Sequence, residues 1–116
     1  MSSDNTSVLI VEDEPILAVG MEDDLRDLGY DVAGIARSVD EARNLVADQP
    51  VDFAILDYNL GDETSAPLAA ALAASGKPFV YLTGRPDAVR ADPLAPDAPI
   101  YTKPTNVAQI THAHLG

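Results

Sequence analysis

A chain of 116 residues is one domain long, and its net charge of −12, with only seven scattered basic residues, argues against nucleic acid and anionic membranes, which bind clustered Lys and Arg. No apolar run approaches the roughly 18 residues that span a bilayer, and residues 1–7 lack the basic start and apolar stretch of a signal peptide. The absence of cysteine excludes disulfides and thiolate chemistry and fits a reducing cytoplasm.

From the N-terminus, residues 6–11 are β-branched and continuously apolar, the pattern of a buried strand. Glu14 and Pro15 open a helix in which Leu17, Met21, Leu25 and Leu28 recur at helical spacing, and Gly29 ends it. Residues 31–36 read as the second strand. Ser38-Val39-Asp40-Glu41 has the form of a capping box, and Ala42, Leu45 and Val46 give the helix behind it an apolar face. Residues 52–56 are the third strand and 57–63 a loop; an alanine-rich helix follows from about Thr64 to Ser75, closed by Gly76. Residues 77–82 are the fourth strand. Beyond Thr83, Pro86, Pro93, Pro96 and Pro99 leave room for about one and a half turns of helix, over 87–92. Residues 99–102 are the fifth strand, and Thr105 is placed to cap a last short helix carrying Val107, Ile110 and Leu115. Strands alternating with helices predict a single α/β domain over 1–116 with a parallel sheet.

Four of these strands end in reactive polar residues. Val8-Leu9-Ile10-Val11 runs into Glu12-Asp13, Phe53-Ala54-Ile55-Leu56 into Asp57, Phe79-Val80-Tyr81-Leu82 into Thr83, and Ile100-Tyr101-Thr102 into Lys103-Pro104. Open parallel sheets carry ligand sites at the C-terminal ends of their strands, so neighbouring strands would gather three acids, a hydroxyl and an ammonium. Acids hold a hard cation, while a hydroxyl and an ammonium hold an anion. The combination suits phosphate with Mg²⁺. The Asp57 carboxylate can act as a nucleophile and form an aspartyl phosphate. Asp13, Asp57 and the Asn59 backbone carbonyl would hold Mg²⁺ directly, with Glu12 acting through water. Lys103 would pair with Asp57 and then with a phosphoryl oxygen, and a Lys103-Pro104 bond in cis would fix its direction. Each residue alone has an ordinary role: Asp in a turn, acids at a helix start, lysine after an edge strand, Tyr101 as packing. His112 and His114 read as exposed residues near a helix end. Their order along the chain carries the chemical reading.

That order, Glu12-Asp13, Asp57, Thr83-Gly84, Tyr101 and Lys103-Pro104, resembles the receiver domains of two-component response regulators over essentially the whole chain. The resemblance implies a flavodoxin-like, doubly wound, five-stranded parallel sheet of order 2-1-3-4-5, here with a short or irregular fourth helix. It implies transfer of a phosphoryl group from a sensor histidine kinase to Asp57 with Mg²⁺ as cofactor, Thr83 and Lys103 binding the phosphoryl oxygens, and Tyr101 turning inward as Thr83 moves. Asn59-Leu60-Gly61-Asp62-Glu63, Pro67 and the Pro78-Phe79-Val80-Tyr81-Leu82-Thr83-Gly84 run are similar to one subgroup, the single-domain alphaproteobacterial receivers with a Phe-Ala-Thr-Gly motif. Those tend to work with HWE-type kinases, often in general stress signalling.

The expectation is a stand-alone cytoplasmic phosphoprotein that catalyses only its own phosphoryl transfer and hydrolysis. It would signal by contact with an unidentified downstream protein, as a monomer or as a dimer formed on phosphorylation, with no nucleic acid and no membrane involved. Asn59 and Arg85, flanking the acceptor, would tune hydrolysis. One alternative is a small Mg²⁺-dependent phosphatase using Asp57. Haloacid-dehalogenase-like enzymes, however, carry their Asp-x-Asp nucleophile after the first strand, whereas Asp57-Tyr58-Asn59 follows the third. A receiver-like scaffold that is never phosphorylated is opposed by the intact acids, Thr83 and Lys103. A fragment of a longer regulator is left open by the ending at Gly116.

Overall fold

The continuous apolar runs become the interior of a sheet. In the computed structural model, which describes residues 5–116, the elements in chain order are β1 (Ser7–Val11), α1 (Pro15–Asp27), β2 (Asp31–Ala36), α2 (Val39–Asp48), β3 (Phe53–Leu56), β4 (Asn59–Leu60), β5 (Glu63–Thr64), α3 (Ala66–Ala74), β6 (Phe79–Thr83), α4 (Pro86–Ala91), β7 (Ile100–Thr102) and α5 (Val107–His114). Residues 1–4, on which the reading of the N-terminus rests in part, lie outside the described residues. β2, β1, β3, β6 and β7 form one parallel sheet in that order. This is the expected 2-1-3-4-5 arrangement.

Helices cover both faces, which is why the central strands are apolar at every position. Val8, Ile10, Phe53, Ile55, Val80 and Leu82 pack with Ala18 and Leu25 of α1 and with Val107 and Ile110 of α5. Leu9, Val11, Ala54, Leu56 and Tyr81 face the other way, onto Ala42, Leu68, Leu72 and Val89. The expected face of α1 is only half right. The helix buries Ala18 and Leu25, with Met21 at the margin, while Leu17 is 43% and Leu28 47% exposed.

At the start of α2, Ser38 Oγ accepts the Glu41 N–H at 3.1 Å, as a capping box requires. The Glu41 carboxylate, however, takes the Arg37 N–H rather than that of Ser38. Two further corrections concern loops. Residues 57–63 are not a plain loop: β4 and β5 pair as a two-residue antiparallel ladder, and Gly61, at a φ of +64° that a side chain would resist, makes the turn. Leu60, 3% exposed, anchors this hairpin to the core. The cap of α5 is Asn106, whose Oδ1 accepts the Ala108 N–H at 2.8 Å, and not Thr105. The Thr105 hydroxyl is engaged elsewhere, donating to the Thr102 carbonyl at 2.6 Å. α4 has six residues, as the prolines predict. Among the described residues no helix is long and apolar enough to cross a membrane.

Candidate functional site

Backbone hydrogen bonds that continue the ladder past the strand ends fix where the chemistry stands. The Asp57 N–H donates to the Val11 carbonyl at 2.8 Å, Glu12 to Ala36 at 2.9 Å, and Lys103 to Thr83 at 2.8 Å. Because the strands are parallel, the residues that follow β1, β3, β6 and β7 arrive at one edge of the sheet.

There Glu12, Asp13 and Asp57 each present a carboxylate oxygen, and these atoms lie within 4.8 Å of one another. Lys103, joined to Pro104 by a cis peptide bond, reaches them from β7. Its Nζ donates to Asp57 Oδ2 at 3.1 Å and to Glu12 Oε1 at 2.9 Å. The pairing with Asp57 is the expected one; the pairing with Glu12 gave no sequence signal. Glu12 is 1% and Asp57 8% exposed, and the second Glu12 oxygen accepts the Glu14 N–H at 3.2 Å. Asp13 stands partly exposed at the mouth, and Asn59 is exposed at the start of β4.

Burial raises the pKa of Glu12, and the charge of Asp57 adds to that; hydrogen bonds from Lys103 and from the Glu14 N–H pull the other way without cancelling it. Burial pulls the Lys103 ammonium down, but hydrogen bonds to Glu12 and Asp57 and the charges of both acids outweigh it, so its net shift is upward. The ammonium therefore stays charged. One ammonium against three carboxylates leaves an excess of negative charge on an all-oxygen donor set, and that chemistry fits a hard divalent cation such as Mg²⁺. Beside Glu12 and Lys103 opens a cleft of about 340 Å³ walled by Leu17, Met21, Leu82, Pro104 and Thr105.

The remaining expected residues are near the site with their polar atoms turned elsewhere. Thr83 is fully buried at the end of β6, and its hydroxyl accepts the Arg85 N–H at 3.0 Å. Tyr101 is partly buried in β7. Its hydroxyl lies 2.8 Å from His114 Nε2, the two rings meet edge-on, and His114 stacks on Phe53. His114 thus holds Tyr101, a role its sequence position did not suggest. Tyr58, next to Asp57, was also missed: it is buried, and its hydroxyl donates to Asp92 at 2.5 Å. Glu63 of the hairpin accepts the Val39 N–H at 3.1 Å, tying the hairpin to α2.

The family model for the response regulator receiver domain matches residues 8–113. The phyllosphere-induced regulator PhyR of Methylorubrum extorquens is 29% identical over 109 residues, 91% of this chain and 41% of that protein. The chain spans about two fifths of the length of the curated relatives it matches. Among solved structures, the receiver domain of the PhyR response regulator from Erythrobacter litoralis superposes with a TM-score of 0.83 at 25% identity, over 97% of this chain and 88% of that one. SdrG from Sphingomonas melonis Fr1 gives a TM-score of 0.76 at 42% identity, covering 94% of this chain and 92% of that one.

Proposed function

The chain belongs to the response regulator receiver domain family, and on that premise we propose that it is a phosphoacceptor switch in which Asp57 takes a phosphoryl group from a sensor histidine kinase. The observation that carries this reading is Lys103 Nζ bridging Glu12 and Asp57 inside a cluster of three carboxylates. The resemblance of the Pro78-Phe79-Val80-Tyr81-Leu82-Thr83-Gly84 run to single-domain alphaproteobacterial receivers favours a kinase of the HWE type as donor.

One Asp57 carboxylate oxygen forms a bond to phosphorus as the N–P bond of the donor phosphohistidine breaks, and the imidazole leaves. The protein contributes positioning and charge neutralisation, which is most of what phosphoryl transfer needs. Asp13, Asp57 and the Asn59 carbonyl would hold Mg²⁺, with Glu12 acting through water, and the cation supplies positive charge to the phosphoryl oxygens. Lys103 redirects the hydrogen bond it makes to Asp57 Oδ2 towards a phosphoryl oxygen while Glu12 keeps hold of the ammonium. The Thr83 hydroxyl turns from the Arg85 N–H to donate to a second phosphoryl oxygen. Tyr101 leaves His114 and follows inward. Asn59 and Arg85 flank the acceptor and set how readily water reaches the phosphoryl group. Output is contact with a downstream protein, by a monomer or by a dimer formed on phosphorylation, in the cytoplasm, where ATP-charged kinases and Mg²⁺ are available.

Intact-protein mass after incubation with Mg²⁺ and acetyl phosphate tests this. The expected result is a single labile phosphoryl adduct that requires Mg²⁺ and is absent from Asp57→Asn. Equal labelling of that variant would overturn the assignment of Asp57.

A further inference from the structure

Packing holds α4 through few side chains: of its six residues only Val89 is buried, with Ala88 partly buried beside it. The following segment, 92–99, has no helix or strand and borders a cleft of about 280 Å³ lined by Tyr81, Val89, Arg90 and Ile100. Beyond that contact, α4 has a polar strap at each end, and both straps come from the residues around the acceptor. At the N-terminal end, the Thr83 hydroxyl accepts the N–H of Arg85, the residue before the first turn. At the C-terminal end, Asp92 uses one carboxylate oxygen for the Leu94 N–H at 2.9 Å and the other for the Tyr58 hydroxyl at 2.5 Å.

Tyr58 directly follows Asp57. The residue is 7% exposed, and its own carbonyl accepts the Ser65 N–H at 2.8 Å, so it is fixed at the base of the acceptor loop. A phenol donating to a carboxylate is a charge-assisted bond, stronger than a neutral one. The hydrogen bond to Asp92 raises the Tyr58 pKa, and burial adds to it; the same bond lowers that of Asp92. A second phenol, Tyr81, donates to the Pro96 carbonyl at 3.1 Å further along the same segment.

We propose that Tyr58 is a positioning residue that fastens the C-terminal end of α4 to the acceptor loop through Asp92, so that when Thr83 turns to the phosphoryl group α4 pivots about Asp92 instead of coming loose. The strap itself exists in the resting protein. Its use as a pivot rests on the receiver reading, in which Thr83 gives up Arg85.

Amide hydrogen exchange on the full chain tests both parts, with Tyr58→Phe and Asp92→Ser as variants. Tyr58→Phe keeps the buried ring and loses only the hydroxyl. Asp92→Ser keeps an oxygen for Leu94 but is too short for Tyr58. At rest, each variant should speed exchange at 86–92 by about tenfold, the weight of one charge-assisted hydrogen bond, with α1 unchanged. The double variant should do no more than either single one, because one bond is removed in all three. Unchanged exchange in α4, or effects that add, would overturn the strap. With Mg²⁺ and beryllofluoride as the phosphoryl mimic, the wild type should shift its α4 amides yet keep their protection, and Tyr58→Phe should lose it. Equal protection in both would overturn the pivot. Failure of the wild type to take up beryllofluoride would count against the receiver reading instead, and the resting comparison would still decide the strap.

Discussion

Replacing Lys103 by Met removes the cation that faces Glu12 and Asp57 while leaving an apolar stem of similar length. In the wild type Nζ stands 2.9 Å from Glu12 and 3.1 Å from Asp57. Without it, three carboxylate oxygens remain within 4.8 Å of one another. A pair of unit charges 4.8 Å apart repels by about 3.5 kcal/mol at an effective dielectric constant of about 20. The Lys103 side chain is 23% exposed, so water relaxes part of that repulsion. The expected loss is about 2–4 kcal/mol, the scale of stranding a buried charge. Urea unfolding near neutral pH in EDTA measures it, and repeating the titration with Mg²⁺ supplies the second half of the test. A ligand that binds only the folded form stabilises it by its binding free energy. Mg²⁺ should therefore restore more stability to Lys103→Met than it adds to the wild type, since in the variant it meets acids that no ammonium offsets. A variant as stable as the wild type in EDTA, or equal increments from Mg²⁺ in both, would refute the account of charge in this site.

Burial, with a smaller contribution from the charge of Asp92, pushes the Tyr81 phenol from 10.0 up to about 12. The folded protein holds this proton after the unfolded chain has lost it, so the contribution is complete below pH 10 and drains away as pH rises towards 12. Two units correspond to about 2.7 kcal/mol, which solvent relaxation around the hydroxyl trims to roughly 1–2 kcal/mol. Chemical denaturation of Tyr81→Phe across that range should show a shallower decline than the wild type, and an identical slope would contradict the assignment. Ser65 is fully buried, and its hydroxyl has no hydrogen-bond partner among the described residues. Ser65→Ala should raise unfolding stability by about 1 kcal/mol, because a stranded hydroxyl is costly; a fall would show that the hydroxyl has a partner after all.

The strands and the residues that follow them were legible because a strand covered on both faces must be apolar throughout, and such runs are short and sharply bounded. The α1 face was less so. Helical spacing fits both the stripe through Leu17 and Leu28 and the stripe through Ala18 and Leu25, and the buried Ala18 adds little hydrophobic signal against the larger Leu17. The β4–β5 hairpin escaped notice because two residues per strand are too few for alternation to appear. Within the site, the order of strand ends announced which groups meet, with Lys103 and Asp57 as one pair, but not the other partners the side chains take. Lys103 and Glu12 are 91 positions apart, Tyr58 and Asp92 are 34 apart, and no local pattern links either pair. Whether the Thr83 hydroxyl faces Asp57 or the Arg85 N–H is a side-chain rotation, invisible in a pattern of residue types.

Parallel strands also divide the molecule for evolution. The turns around Gly29, Pro50 and Gly76 all lie at the edge where strands begin, a full strand length from the carboxylates and Lys103. Insertions, charge reversals and lengthened loops at that edge meet none of those groups. A scan of all substitutions should therefore show tolerance graded along the strand axis, from permissive at the strand starts to strict at their ends, and not simply divided between core and surface.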